Sequence, residues 1–236
     1  MYKPKRVCAP AVLLAALTLI ALFAVFVWPL PLYGAASNLS IRDDFDSGAL
    51  PAWEMPFRED WEVLQEGNLH YLHMKRPRPP GLPRRPLQFA RLKSVKVGGF
   101  TLNVRVRRAG GSMIVVFNYV DSLHFYYVHL SKDTGTQEAA HNGIFIVDGG
   151  PRQRIAGLDA SASLPETSWH DVRIVRDLRS GSIQVFLDQQ TTPRFSVIDR
   201  TFSYGQIGLG SFDETGDFAH FRLDSNDALD SAGGTD

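Results

Sequence analysis

After residue 40, no stretch of this chain carries a helical period. Short runs alternate apolar and polar residues instead, and Gly, Asp, Ser and Pro separate them. Phe100-Thr101-Leu102-Asn103-Val104-Arg105-Val106-Arg107 is the clearest case, with Phe, Leu, Val and Val on one face. Met113–Tyr119 and Leu123–Leu130 join through Asp121-Ser122 and read as a tight hairpin. Ile144–Val147, Trp169–Arg176, Ser182–Leu187, Phe195–Ile198, Gln206–Gly210 and Phe218–Leu223 continue the series. In Trp169–Arg176, Val172 and Ile174 mark the face shared with His170 and Arg176 as the better core candidate. A lone sheet would leave its apolar face in water, so a second layer is required. The fold class expected is all-β, an antiparallel sandwich.

The amino-terminal 40 residues follow another rule. Lys3, Lys5 and Arg6 precede an almost wholly apolar run from Ala9 to Leu32. Such a segment partitions into a bilayer with its positive end on the cytoplasmic side. Gly34-Ala35-Ala36 offers the small residues that a signal peptidase accepts. The central stretch, residues 11–28, exceeds the usual signal core of about 7–15 residues and lies near the lower limit for a spanning helix. It reads either as a cleaved signal or as a retained membrane anchor. Both place residues 41–236 outside the cytoplasm, in a secreted, periplasmic or membrane-anchored protein.

The 25 basic and 25 acidic residues cancel, and no basic block is sustained, which argues against a nucleic-acid partner. The single cysteine, Cys8, precedes the apolar run. The folded part therefore has neither a disulfide nor cysteine-ligated zinc. Residues 76–86, with five prolines and four arginines, cannot form a central strand. They read as a solvated loop or as a rim that meets an acidic glycan or a neighbouring surface. Residues 225–236 read as a disordered tail, which leaves residues 41–224 as the domain.

Several segments together carry a resemblance. They are Asp43-Asp44-Phe45-Asp46, Phe117-Asn118-Tyr119 through Phe125-Tyr126-Tyr127-Val128-His129-Leu130, and His141-Asn142-Gly143-Ile144-Phe145. Trp169-His170-Asp171-Val172-Arg173-Ile174, Gly181–Asp188 and Gly205–Phe212 complete the set. Over residues 41–224 they resemble the concanavalin A-like lectin and glucanase superfamily, nearest the laminin-G-like and 3-keto-disaccharide hydrolase domain group. The resemblance implies a jelly roll whose members bind sugars, cleave them, or do neither. The superfamily's glucanases hold carboxylates in a Glu-x-Asp-x-x-Glu pattern. That pattern is absent; the nearest acidic group is Asp213-Glu214-Thr215-Gly216-Asp217.

Sugars bind by stacking on aromatic rings beside polar groups that orient their hydroxyls. With Asp121 and Ser122 as loop residues, 118 pairs with 125 and 116 with 127. One hairpin face then holds Asn118, Phe125, Tyr127 and His129, which supply both parts. His141, Arg152 and Arg154 are candidates to rim the same surface. The alternative is that both faces are buried, one by the second sheet and one by loops, with His129 a hydrogen-bonded core histidine. Asp44, Asp46 and Asp217 lie near the two ends of the domain and are candidate oxygen ligands for calcium. No catalytic residue is named, because no two carboxylates, and no carboxylate and histidine, are placed together. The leading function is a carbohydrate-binding module. A glycoside hydrolase or lyase, and a structural or protein-contact domain, are the alternatives.

Overall fold

The computed structural model describes residues 37–50, 52–135, 138–157 and 161–230. The segment 11–28 lies outside them. Among the described residues, no helix is long and apolar enough to cross a membrane. The reading of the chain as a transmembrane protein is corrected on that finding.

In chain order the strands are β1 (Ser37–Asp43), β2 (Trp53–Glu54), β3 (Trp61–Glu66), β4 (Leu69–Met74), β5 (Gln88–Leu92) and β6 (Val95–Val97). Next come β7 (Phe100–Arg108), β8 (Ser112–Asp121), β9 (His124–Ser131), β10 (Gly143–Asp148) and β11 (Gln153–Ala156). β12 (His170–Arg176), β13 (Ser182–Leu187), β14 (Phe195–Ile198), β15 (Gln206–Ser211) and β16 (Gly216–Asp230) complete the series. A four-residue helix, α1 (Glu138–His141), precedes β10. Among the described residues, one sheet has nine strands, in the order β14-β13-β12-β7-β16-β4-β3 with β1 and β6 also on β16. The other has seven, in the order β11-β10-β9-β8-β15-β5-β2. The result is a two-sheet antiparallel sandwich of jelly-roll, concanavalin A-like topology. β16 runs to residue 230, so residues 225–230, expected to be tail, are strand; Ala228 pairs with Val97. Likewise residues 37–40, expected before the domain, belong to β1.

The alternation of β7 puts Phe100, Leu102, Val104 and Val106 into the space between the sheets. β8 and β9 answer with Met113, Val115, Phe117, Tyr126, Val128 and Leu130. Phe117 stacks on Tyr126 at 5.4 Å and meets Phe100 edge-on at 6.0 Å, which closes the seam. Burying this many large side chains supplies the driving force for the fold, at ~1.5–3 kcal/mol each. On β12 the core face is His170, Val172, Ile174 and Arg176, all buried.

The hairpin departs from the expected register. Asp121 pairs with His124, so Ser122 and Leu123 form the loop. Phe117 pairs with Tyr126 and Val116 with Tyr127, which leaves Asn118 to Val120 opposite Phe125 alone. The surplus is absorbed as a bulge with Asn118 at φ +46°. Gly205 needs its missing side chain there, since a Cβ would come 2.2 Å from the Asn118 backbone.

The proline-rich stretch folds back on the domain. Asp60, fully buried, accepts from Arg76 Nε (2.8 Å), Arg78 Nε (2.6 Å) and Gln88 Nε2 (3.1 Å). Arg85 donates to the Ser122 carbonyl, and the Arg84 guanidinium lies 4.8 Å over Phe212. All four arginines are thus engaged with the domain. The Arg78 hydrogen bond, then its charge and those of Arg76, hold the Asp60 carboxyl below its ordinary range against the opposing effect of burial. A carboxylate with a lowered folded pKa stabilises fully above its unfolded value of about 3.9 and loses that contribution as pH falls through the folded one. Asp60→Asn is expected to cost about 2 kcal/mol at pH 7, because both arginines regain water. Its loss relative to the parent should shrink progressively as pH falls below about 3.9 in urea unfolding curves. Equal stability of the two proteins at pH 7 would contradict this.

Candidate functional site

The two outer faces of the sandwich differ. On the seven-stranded sheet, Phe89, Ile114, Val116, Tyr119, Phe125, Tyr127, Phe145, Val147 and Phe212 form a second buried apolar cluster. Arg152 anchors it. Its Nη1 donates to Tyr127 Oη and His129 Nδ1, both at 3.1 Å, and its Nη2 donates to the Ala140 carbonyl at 2.8 Å. Its guanidinium lies 4.3 Å over Phe212 and 4.8 Å over Phe145. Its backbone N–H donates to the Arg84 carbonyl, which ties the proline-rich loop across this face.

This is where the sequence-chosen residues stand. Tyr127, His129, His141 and Arg152 are brought together: the His129 and His141 rings are 5.5 Å apart, and His141 Nδ1 lies 2.5 Å from Asp133 Oδ2. Arg154 reaches the Asn142 carbonyl at 3.4 Å. Phe125, Tyr127 and His129 are buried. Both faces of the hairpin are covered, one by the other sheet and one by loops, as the alternative reading had it. Asn118 does not join the group, because the bulge turns it inward. There Nδ2 donates to the carbonyls of Val97 (2.8 Å) and Ser203 (3.2 Å), and Tyr119 takes its place on the outer cluster. Burial is the main cause that depresses the His129 pKa well below 6.5, with the charge of Arg152 second.

The candidate calcium ligands are also placed. Asp217 lies between His73 Nδ1 (2.6 Å) and Arg107 Nε (2.7 Å), and Asp44 lies 2.9 Å from His220 Nδ1. Asp46 is exposed. Among the described residues, no group of three or more His, Cys, Asp or Glu could hold a metal ion.

The outer face of the nine-stranded sheet is open and polar. Pairing of β13, β12, β7 and β16 sets the side chains in cross-strand rows. One row runs Phe186, Arg173, Asn103, Arg222. Beside it runs Asp171, Arg105, Ala219. On the other side runs Gln184, Val175, Thr101, Asp224. Further along the face, Arg107 is sandwiched by Trp169 (4.5 Å) and Tyr71 (5.1 Å), and those two rings meet edge-on at 5.7 Å.

A cavity of about 440 Å³ sits on these rows, lined by Asn103, Arg105, Asp171, Arg173, Phe186, Gln189 and His220 among others. A second, of about 320 Å³, follows the same strands at residues 99–101, 175–179 and 224–227. Together they track β7 from Phe100 to Arg105, five residue steps, roughly 17 Å at ~3.3 Å per step. Two left-handed residues shape the rim: Asp188 (φ +49°) and Gln189 (φ +62°) turn the chain after β13. Asp188 is held by the Asp171 N–H (3.0 Å) and His170 Nδ1 (2.8 Å), which fixes Gln189 over the groove. His220 (φ +50°) occupies an irregularity in the β16–β7 ladder and projects there too.

Sequence reasoning passed over Asn103, Arg105 and Arg173. The signal was present in the polar half of β7, where Thr101, Asn103, Arg105 and Arg107 alternate with the core residues. What was missing was the cross-strand register that sets them beside Asp171 and Arg173.

No family model matches the chain, and no curated protein matches it. Among solved structures, it is similar to carbohydrate binding module CBM66 from Bacillus subtilis, at 16 % identity and TM-score 0.52, covering 74 % of this chain and 96 % of that one. It is also similar to the GH43 protein BlXynB from Bacillus licheniformis, at 14 % identity and TM-score 0.54. That match covers 78 % of this chain and 39 % of the other. At these identities the likeness is one of fold alone, a two-sheet β-sandwich.

Proposed function

We propose that this chain is an extracytoplasmic carbohydrate-binding domain whose ligand lies along the outer face of the nine-stranded sheet. The observation that carries the reading is the open groove over the Phe186-Arg173-Asn103-Arg222 row. It brings together the planar donors of Arg105, Arg173 and Asn103 and the acceptor Asp171, with the Arg173 guanidinium laid over the buried Phe186 ring. Sugars present fans of hydroxyls, and such donors and acceptors match them. The fold supports the reading but does not choose a function. The positive start, apolar run and small residues ahead of Ser37 support export.

Binding is favoured over hydrolysis by the carboxylates of the first cavity. Among its described lining residues Asp171 alone carries one, and it lies 3.5 Å from Arg105. A hydrolase needs two carboxyl groups facing across a cleft, about 5–10 Å apart and free to act.

The test is a glycan-array screen of residues 37–230, with mass spectrometry of every bound glycan after incubation. We expect binding without cleavage. Replacing Asn103 and Arg105 together by alanine should weaken binding by roughly tenfold or more while the circular dichroism and Tm stay near the parent's. Arg105 and Asp171 form an exposed pair that contributes little to stability. Cleavage products would reassign the domain as an enzyme. Absence of binding to any glycan would leave a structural or protein-contact domain.

A further inference from the structure

Among the described residues that line the first cavity, one cation is left without a hydrogen-bond or ion-pair partner. Arg173 is exposed on β12 and its guanidinium lies flat, 4.0 Å over the Phe186 ring. Among the described residues it has no hydrogen bond and no carboxylate within ion-pair distance, in contrast to its neighbours. Arg105 faces Asp171 at 3.5 Å, Arg107 is held by Asp217 and Glu66, and Arg222 by Asp224. Asn103 stands directly opposite Arg173 across the β12–β7 ladder.

Stacking fixes the plane of the guanidinium and leaves its N–H edge open to the cavity. A fixed, planar fork of donors matches the two or three oxygens of a carboxylate or sulfate. Asn103 beside it can donate its amide to the same group. The count of charge agrees: Arg105 and Arg173 against Asp171 leave the first cavity one positive charge before any from the His220 imidazole. The positive charge is also local. The second cavity sets Asp177, Asp224 and Asp227 against Arg176 and Arg179, which leaves it one negative charge and disfavours a chain charged at every unit.

Building on the binding role above, we infer that the ligand is a glycan in which acidic units stand among neutral ones. The carboxylate or sulfate of one acidic unit seats on Arg173 and Asn103. The partner class is therefore an acidic heteropolysaccharide, and Arg173 is the residue that selects it.

The experiment measures affinity for matched polymers at fixed salt. Hyaluronan oligosaccharides carry carboxylates only and are compared with their carboxyl-reduced form. Chondroitin sulfate is compared with its desulfated form, and a neutral β-glucan completes the set. The parent protein should prefer at least one acidic polymer over its neutralised partner by roughly tenfold, and the pair that responds tells carboxylate from sulfate. Arg173→Gln should abolish that preference and leave affinity for the neutralised polymer unchanged. Arg200→Gln removes one exposed arginine outside the groove and should leave the preference intact. Equal affinity for acidic and neutralised polymers, or an equal effect of Arg200→Gln, overturns the inference while carbohydrate binding stands. If none of these polymers and no member of the array binds, carbohydrate binding falls as well.

Discussion

Arg176→Leu is expected to lower Tm by about 10 °C, with the fold retained at room temperature. Arg176 lies on the core face of β12 and is 3 % exposed. Its Nη1 donates to the carbonyls of Gly181 (2.6 Å) and Asp199 (2.7 Å), and its Nη2 to that of Phe202 (3.2 Å). These carbonyls belong to the turns that close β12 onto β13 and lead from β14 toward β15. The same guanidinium lies 5.6 Å over Tyr126, whose hydroxyl donates to Asp199 and accepts from the Phe202 N–H at 3.1 Å. Burial depresses the arginine's pKa, yet it remains far too basic to lose its proton. Leucine fills part of the volume but strands three acceptors, each at about 1–3 kcal/mol when no water replaces the donor. Partial hydration of the turns brings the total to about 4 kcal/mol, and at ~2–4 °C per kcal/mol for a domain of this size the shift follows. Lysine should not rescue, since one ammonium cannot span three carbonyls that a planar fork reaches. Arg179→Leu, at an exposed position in the same turn, should change Tm by a degree or two at most. If Arg176→Leu and Arg179→Leu melt together, the three carbonyls are not held by Arg176.

The second large effect is a dependence of stability on pH set by His129. The neutral ring accepts from Arg152 at Nδ1 and carries its proton at Nε2, which has no hydrogen-bond partner among the described residues. Protonation would place a second charge beside Arg152, with Arg84 and His141 also facing the ring, at a fully buried position. The folded pKa is lowered for a base, so the unfolded chain takes up the proton first. Below about pH 6.5 the unfolded state binds more protons, and stability falls with pH by up to about 1.4 kcal/mol per unit until the folded value is reached. Above pH 6.5 this group contributes no slope. His129→Phe keeps the stacking on Phe212, at 5.6 Å between ring centres, and removes the titration. The difference between parent and variant unfolding free energies, taken from pH 8 to pH 5, should change by more than 1 kcal/mol in the direction that favours the variant at low pH. Parallel curves would show that His129 is not the group responsible.

Together the two variants probe different things that hold the sandwich. Arg176 ties turns at one end of the nine-stranded sheet. His129 and Arg152 tie the cover to the seven-stranded one. Asn103, Arg105 and Arg173 take part in neither set of ties, so losses of glycan binding in variants of these three can be read without a stability correction.

How much of this was legible in the sequence follows from what each feature depends on. Alternation with period two is a property of neighbouring residues, so the core face of β7 could be read directly, Phe100 to Val106, whereas the mixed faces of β12 only favoured the side of Val172 and Ile174. The need for a second apolar layer followed from the same pattern, and so did the sandwich class. The tail was misread at residues 225–230 because Asp, Ser and Asn favour loops locally, whereas pairing with β1 and β6 across the sheet overrides that preference.

The face of each hairpin residue was decided by tertiary structure alone. Two surplus residues at Asn118–Val120 exchange the faces of Asn118 and Tyr119, and nothing in the local composition announces a bulge that exists to let Gly205 approach. Which outer face is open was also beyond the sequence. It depends on where residues 76–86 travel, and their course is fixed by Asp60 and Phe212, partners far away along the chain. The sequence by itself determined the strands and the class of fold, because those rest on short-range periodicity. The groove around Arg173 and the closed cluster around His129 were decided only when register and loop packing brought distant residues together.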